Sequence, residues 1–126
     1  MTMQSSIAAA RISGPSPQPE GTMVFEFRFR ADDPTFAGHL PTRPLLPGVY
    51  QIEMARAAAQ WATGNSLAVR EISRAKFLRP ILPEEVVRLD LKLSEADGTI
   101  QVRASFSVGG KRAGEMHLEL QGRTPP

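Results

Sequence analysis

The chain has no cysteine, only two histidines, and a single tryptophan and tyrosine among its 126 residues. The missing thiols exclude disulfides, thiolate metal sites and a cysteine nucleophile, and they suit a cytoplasmic chain. Two histidines are too few for a histidine-rich centre, so no metal site is expected. No apolar run approaches the roughly 20 residues of a membrane span. The longest alanine-rich stretch is broken by Arg56 and Gln60. No early basic cluster is followed by an apolar core, so no secretory leader is expected. Charge of one sign is scarcely in excess: 15 Lys and Arg against 13 Asp and Glu leave a net +2. With its arginines scattered among acidic residues, the chain is not expected to bind nucleic acid. A mild excess of arginine would also suit an acidic protein partner.

What is present fits one domain with one core. Residues 1–20 are rich in Ser, Pro, Gln and Gly. They read as a flexible N-terminal arm, with at most a short ordered piece at Ile7–Ile12. Residues 21–123 then form the single domain. Within it, Met23, Phe25, Phe27 and Phe29 alternate with Val24, Glu26, Arg28 and Arg30, which is the period of a half-buried strand.

Pro47 to about Ala62 reads as a helix, with proline at its start and Gly64-Asn65 at its stop. At about 100° per residue, Glu53, Arg56 and Gln60 share an arc of about 60°. The remaining surface is apolar and small, so the helix is expected to be buried. Strand patterns follow at Leu67–Leu82, Val87–Leu93, Ile100–Val108 and Met116–Leu120, with turn signals at Asp97-Gly98 and Gly109-Gly110. Thr124-Pro125-Pro126 reads as a frayed end. The outline is a strand, a loop, a buried helix, then four strands in a meander joined by tight turns. An antiparallel sheet wrapped around one helix is the economical packing.

The segment from Phe36 to Glu53 carries the chemistry. It has three prolines in the seven residues Pro41–Pro47, with His39 before them and Glu53 after. His39 reads either as a loop histidine satisfied by backbone groups or as a general base. Glu53 either pairs with Arg56 on a narrow solvent face or is a carboxyl group held in a dry site to donate a proton. Gly48 is either a tight turn or a place where a ligand carbonyl approaches the free N–H groups of a helix start. Arg43, Arg74, Lys76 and Arg79 read either as ordinary surface charge or as a basic rim near the loop. His117 alternates outward with Glu115 and Glu119 and reads as a surface residue.

Gly38-His39-Leu40-Pro41, then Pro44-Leu45-Leu46-Pro47-Gly48-Val49 and Glu53, resembles the signature of hotdog-fold 3-hydroxyacyl-acyl-carrier-protein dehydratases, the FabZ-like and FabA-like family. Ala75-Lys76-Phe77-Leu78-Arg79-Pro80-Ile81-Leu82-Pro83 is similar to the family's Lys-Phe-x-Arg-Pro-x-x-Pro strand. Together the two motifs cover about 50 residues.

The resemblance implies an α+β hotdog fold, a curved antiparallel sheet wrapped around one long central helix. It implies dehydration of a (3R)-3-hydroxyacyl thioester to the trans-2-enoyl thioester, in fatty-acid or related lipid and polyene synthesis. The substrate would be carried on acyl carrier protein or CoA, with no cofactor. His39 would take the C2 proton and Glu53 would protonate the leaving hydroxyl. Gly48 and Val49 would hold the thioester carbonyl, and Arg43, Lys76 and Arg79 would form the carrier-protein rim. It further implies a homodimer, or a higher oligomer, whose sites draw His and Glu from different subunits. Two departures from the pattern stand out: Leu40 replaces the usual Phe, and Arg56-Ala57 stands where the family runs Ala-Gln. A hotdog acyl thioesterase and a non-catalytic acyl-binding subunit are the alternatives.

Overall fold

A computed structural model of the chain describes residues 2–36 and 44–123. Its elements run α1 (Met3–Ala10), β1 (Arg11–Pro17), β2 (Met23–Arg28), a 3-10 turn (Pro34–Phe36), α2 (Gly48–Thr63), β3 (Leu67–Phe77), β4 (Val86–Ala96), β5 (Thr99–Val108) and β6 (Lys111–Gly122). The six strands form one antiparallel sheet in the order β1-β2-β4-β5-β6-β3. Thr124-Pro125-Pro126 lies outside the described residues.

Helix α2 is the centre of the packing. Met54 to Ala59 are six consecutive buried residues, more than a full turn and a half, so the helix is covered on every side there. Four alanines in that run (55, 57, 58 and 59) let the sheet approach closely. Pro47 caps the helix start in an extended conformation, and Gly64 ends it at φ 76° with its N–H on the Gln60 carbonyl. One face of the sheet supplies the opposing core: Phe25, Phe27 and Phe29, then Val87, Leu89 and Leu91, then Val102 and Phe106, then Met116, Leu118 and Leu120. Trp61, near the end of α2, packs against Phe25 and Phe27 with ring centroids 6.1 and 6.2 Å apart.

Two expectations change. The first concerns the N-terminal residues, which are folded. Thr2 and Ser5 cap α1 reciprocally, Ile7 is fully buried, and α1 packs on α2. The Ser6 hydroxyl donates to Asp33 at 3.1 Å, tying α1 to the 3-10 turn. Strand β1 then pairs along β2, and Arg11 lies 4.1 Å over the Trp61 ring. Pro15 and Pro17 do not forbid this, because β1 is an edge strand whose outer side needs no ladder bonds. Composition suggests disorder here, but a few buried contacts and an edge position are enough for order.

The second change is topological. Only β4, β5 and β6 form a meander; β3 pairs with β6 at the far edge from β2. Strand alternation specifies which face is buried, not which strand is the neighbour. The pattern across Leu67–Leu82 contains a strand that ends at Phe77, after which residues 78–85 cross to β4. Leu78 and Arg79 donate their N–H groups to the Ala113 carbonyl, the Ile81 carbonyl accepts from Leu46 N–H, and Glu84 N–H reaches the Phe29 carbonyl. Ile81, 1% exposed, anchors this crossing in the core.

Burial works against ionising Asp33, but hydrogen bonds from Thr35 and Ser6 outweigh it and hold the carboxyl below its ordinary value. The folded state therefore favours the carboxylate. That stabilisation is present above the unfolded value, about pH 4, and disappears as pH falls through the lowered one. Asp33→Asn should melt earlier than wild type at pH 7, and the gap should be smaller at pH 3. Thermal melts at both pH values check this; a gap of equal size at low pH would rule the linkage out.

Candidate active site

The polar arc of α2 meets the first residue of β3. The Arg56 Nε donates to both Glu53 oxygens, at 2.9 and 3.0 Å, and one Nη donates to Oε1. The other Nη donates to the Leu67 carbonyl at 2.9 Å, and the Gln60 Oε1 accepts from the Leu67 N–H at 2.8 Å. Both backbone groups of Leu67 are thus held by helix side chains. The side chains of Glu53 and Arg56 are only 13% and 8% exposed, so this is not a solvent-facing ion pair. The helix is where the spacing places it; the depth of the pair is set by β3, which closes over the arc.

Gly48 is the first residue of α2, with Val49 half exposed beside it. A methyl group on Gly48 would stand 3.0–3.2 Å from the Phe77 ring. The glycine therefore admits the end of β3, and the side expected to face a ligand is taken by an aromatic ring. Val49, Ile72, Phe77 and Leu78, each about half exposed, leave the inner side of β3 and the start of α2 apolar and open. This stretch had only a weak strand pattern, and nothing in it marked Phe77 as the neighbour of Gly48.

Lys76 pairs in register with Glu115 on the outer face of the sheet, where Arg74 binds Glu115 at 2.8 Å. The Glu115 carboxyl is held below its ordinary value by its hydrogen bond to Arg74, with further help from the nearby Arg112 and Lys76 charges. Arg79, just past β3, is exposed. Lys76 thus lies on the opposite face of the sheet from Glu53 and Gly48. His117, on the same outer face, is partly exposed. His39 and Arg43 lie outside the described residues. One further residue carried no signal in the sequence: Gln51 on α2 is 3% exposed and has a buried Oε1 without a hydrogen-bond partner among the described residues. Gly114 leaves room for that amide, since a Cβ there would overlap the Gln51 oxygen. Among the described residues no group of acidic or histidine side chains could hold a metal, and no helix is long and apolar enough to cross a membrane.

The sheet wrapped around α2 has close counterparts. The chain is similar to the dehydratase heterocomplex ApeI:P from Xenorhabdus doucetiae, with a TM-score of 0.69 and 26% identity over 90% of this chain and 96% of that one. It is 33% identical to the 3-hydroxyacyl-[acyl-carrier-protein] dehydratase FabZ of Pelotomaculum thermopropionicum, over 70% of this chain and 69% of that protein. The FabZ of Clostridium botulinum is 34% identical, over 70% and 67%. The family model described as ApeI-like, ApeI dehydratase, matches residues 16–116, from the end of β1 into β6. The chain therefore belongs to the ApeI-like family of hotdog-fold dehydratases.

Proposed function

We propose that the protein dehydrates a (3R)-3-hydroxyacyl thioester, carried on acyl carrier protein or CoA, to the trans-2-enoyl thioester. The observation that carries this reading is the match of residues 16–116 to a dehydratase family, with a shielded carboxyl group on the central helix. His39 removes a proton from C2. The electron pair forms the C2–C3 double bond, and the C3 hydroxyl leaves as water with a proton from Glu53. In this reading the N–H groups of Gly48 and Val49 polarise the thioester carbonyl; their position in the first turn of α2 supports it. The reaction as written needs no cofactor. Phe77 must turn aside or form part of the wall for a carbonyl to reach Gly48.

The working unit in this reading is a cytoplasmic homodimer, with the His of one subunit and the Glu of the other completing each site. The open apolar side of β3, an edge strand, supports a partner there. Arg43, Lys76 and Arg79 are the cations proposed for carrier-protein contact.

The test is incubation with a 3-hydroxyacyl carrier protein, following the ultraviolet absorbance of the enoyl thioester and free thiol in parallel. Enoyl formation without thiol release is expected. Thiol release without enoyl product would replace this reading with a thioesterase, and acyl binding without either product would leave a non-catalytic subunit.

A further inference from the structure

We propose that Arg56 is a positioning residue for the dehydration, fixing the Glu53 carboxyl group by tying it to the backbone at the start of β3. The inference rests on the dehydratase reading, through the role given there to Glu53.

The geometry separates this pair from an ordinary helix-surface ion pair. Exposed pairs three or four residues apart are worth about 0.3–0.5 kcal/mol and leave both side chains free to move. Here both side chains are shielded, and the guanidinium is gripped at two ends. One end meets both Glu53 oxygens; the other meets the Leu67 carbonyl. A planar fork held at its far end cannot rotate with the carboxyl, so it sets the plane in which that carboxyl stands. In its proton-donating state the carboxyl group has one O–H to give to the substrate hydroxyl and keeps acceptor lone pairs for Arg56. Lysine has one nitrogen and cannot reach both Glu53 and Leu67 in this way. Glutamine, at this position, would be too short to span them.

Gln60 provides the comparison. It binds the N–H of the same Leu67 but does not touch Glu53 among the described contacts. A purely structural role for Arg56 would resemble that of Gln60. A positioning role would appear in kcat for Arg56 alone.

Wild type, Glu53→Gln, Arg56→Gln, Arg56→Lys and Gln60→Leu are compared for kcat, KM and melting temperature on one 3-hydroxyacyl carrier protein. Misplacing a reacting group by about 1 Å costs on the order of 10²-fold in rate, and that loss in kcat is expected for Arg56→Gln with little change in KM. Arg56→Lys keeps the charge, and it should melt near wild type yet lose about tenfold or more in kcat. Gln60→Leu should melt earlier while keeping kcat within about threefold, because it loosens the brace and leaves the carboxyl in place. Equal losses of kcat in Gln60→Leu and the Arg56 variants would overturn the proposal in favour of a brace. Turnover lost in Glu53→Gln but retained in both Arg56 variants would overturn it for Arg56 alone. Turnover retained in Glu53→Gln would remove the role of Glu53 and the positioning role with it.

Discussion

Glu53→Gln should lower kcat by about 10² to 10⁴-fold, and His39→Ala by a similar factor, since in the proposed reaction each removes one half of a proton-transfer pair. The loss in Glu53→Gln should not come from unfolding. Glutamine keeps the volume of Glu53 and one oxygen that can accept from Arg56. The sharper result concerns a mixture of the two inactive variants. If each site takes His39 from one subunit and Glu53 from the other, a hybrid dimer holds one intact site and one doubly defective site. Random exchange makes half of the dimers hybrid, so activity should return to about a quarter of the wild-type value. Measuring turnover before and after subunit exchange checks this. No recovery, with exchange shown independently, would place both groups of a site on one chain.

The second large effect concerns stability. Gly14→Ala should be the most damaging single methyl addition in the N-terminal segment. Gly14 has φ +103°, and a Cβ there would lie 2.5 Å from the Val24 carbonyl oxygen and 2.8 Å from the Phe25 Cα. Those are backbone atoms of β2 and cannot rotate away. Backbone strain of about 1–3 kcal/mol and overpacking of a similar size both apply. For a chain of this size the melting temperature should fall by about 10 to 20 °C. Gly21→Ala is the control: its φ is +86°, but nothing lies within 4 Å of the added atom. Equal melting temperatures for the two variants would show that the close approach of β1 to β2 does not hold the segment.

That segment also marks where the sequence stops being readable. Phe25, Phe27 and Phe29 show their strand by alternation, because one side of β2 is buried and the other is not. The same logic exposes β4, β5 and β6, and the turns Asp97-Gly98 and Gly109-Gly110, all four residues having positive φ. Helix α2 is legible from proline before, glycine after and alanine within. Strand β1 is not, since Ser13, Gly14, Pro15, Ser16 and Pro17 carry no hydrophobic period and the fit depends on a gap beside Phe25. Neither is the neighbour of β3, which depends on a crossing anchored by the single buried side chain of Ile81.

At the site, the helical spacing brought Glu53, Arg56 and Gln60 onto one arc, and the pairing of Glu53 with Arg56 was one of its two readings. That the pair would be buried against Leu67 depends on where β3 begins, which no local pattern in the helix records. The ring of Phe77 against Gly48 joins residues 29 positions apart, and Lys76, its neighbour in sequence, turns to the other face. The period of two along a strand places adjacent residues on opposite sides, so Lys76, like Arg74, faces the outer side of the sheet while Phe77 meets Gly48.

The two faces of β3 have a further consequence. Its outer face is charged and tied to β6 through Arg70–Glu119 and Arg74–Glu115, while Ile72 and Phe77 leave the inner side apolar. An edge of this kind discriminates between ways of being extended: a neighbouring strand must bring its own apolar side to the same side of the sheet. A two-fold axis normal to the sheet meets that condition and keeps both central helices on one side. Catalysis would then obey mass action. Below the dissociation constant of the pair, turnover per chain should fall in proportion to total protein.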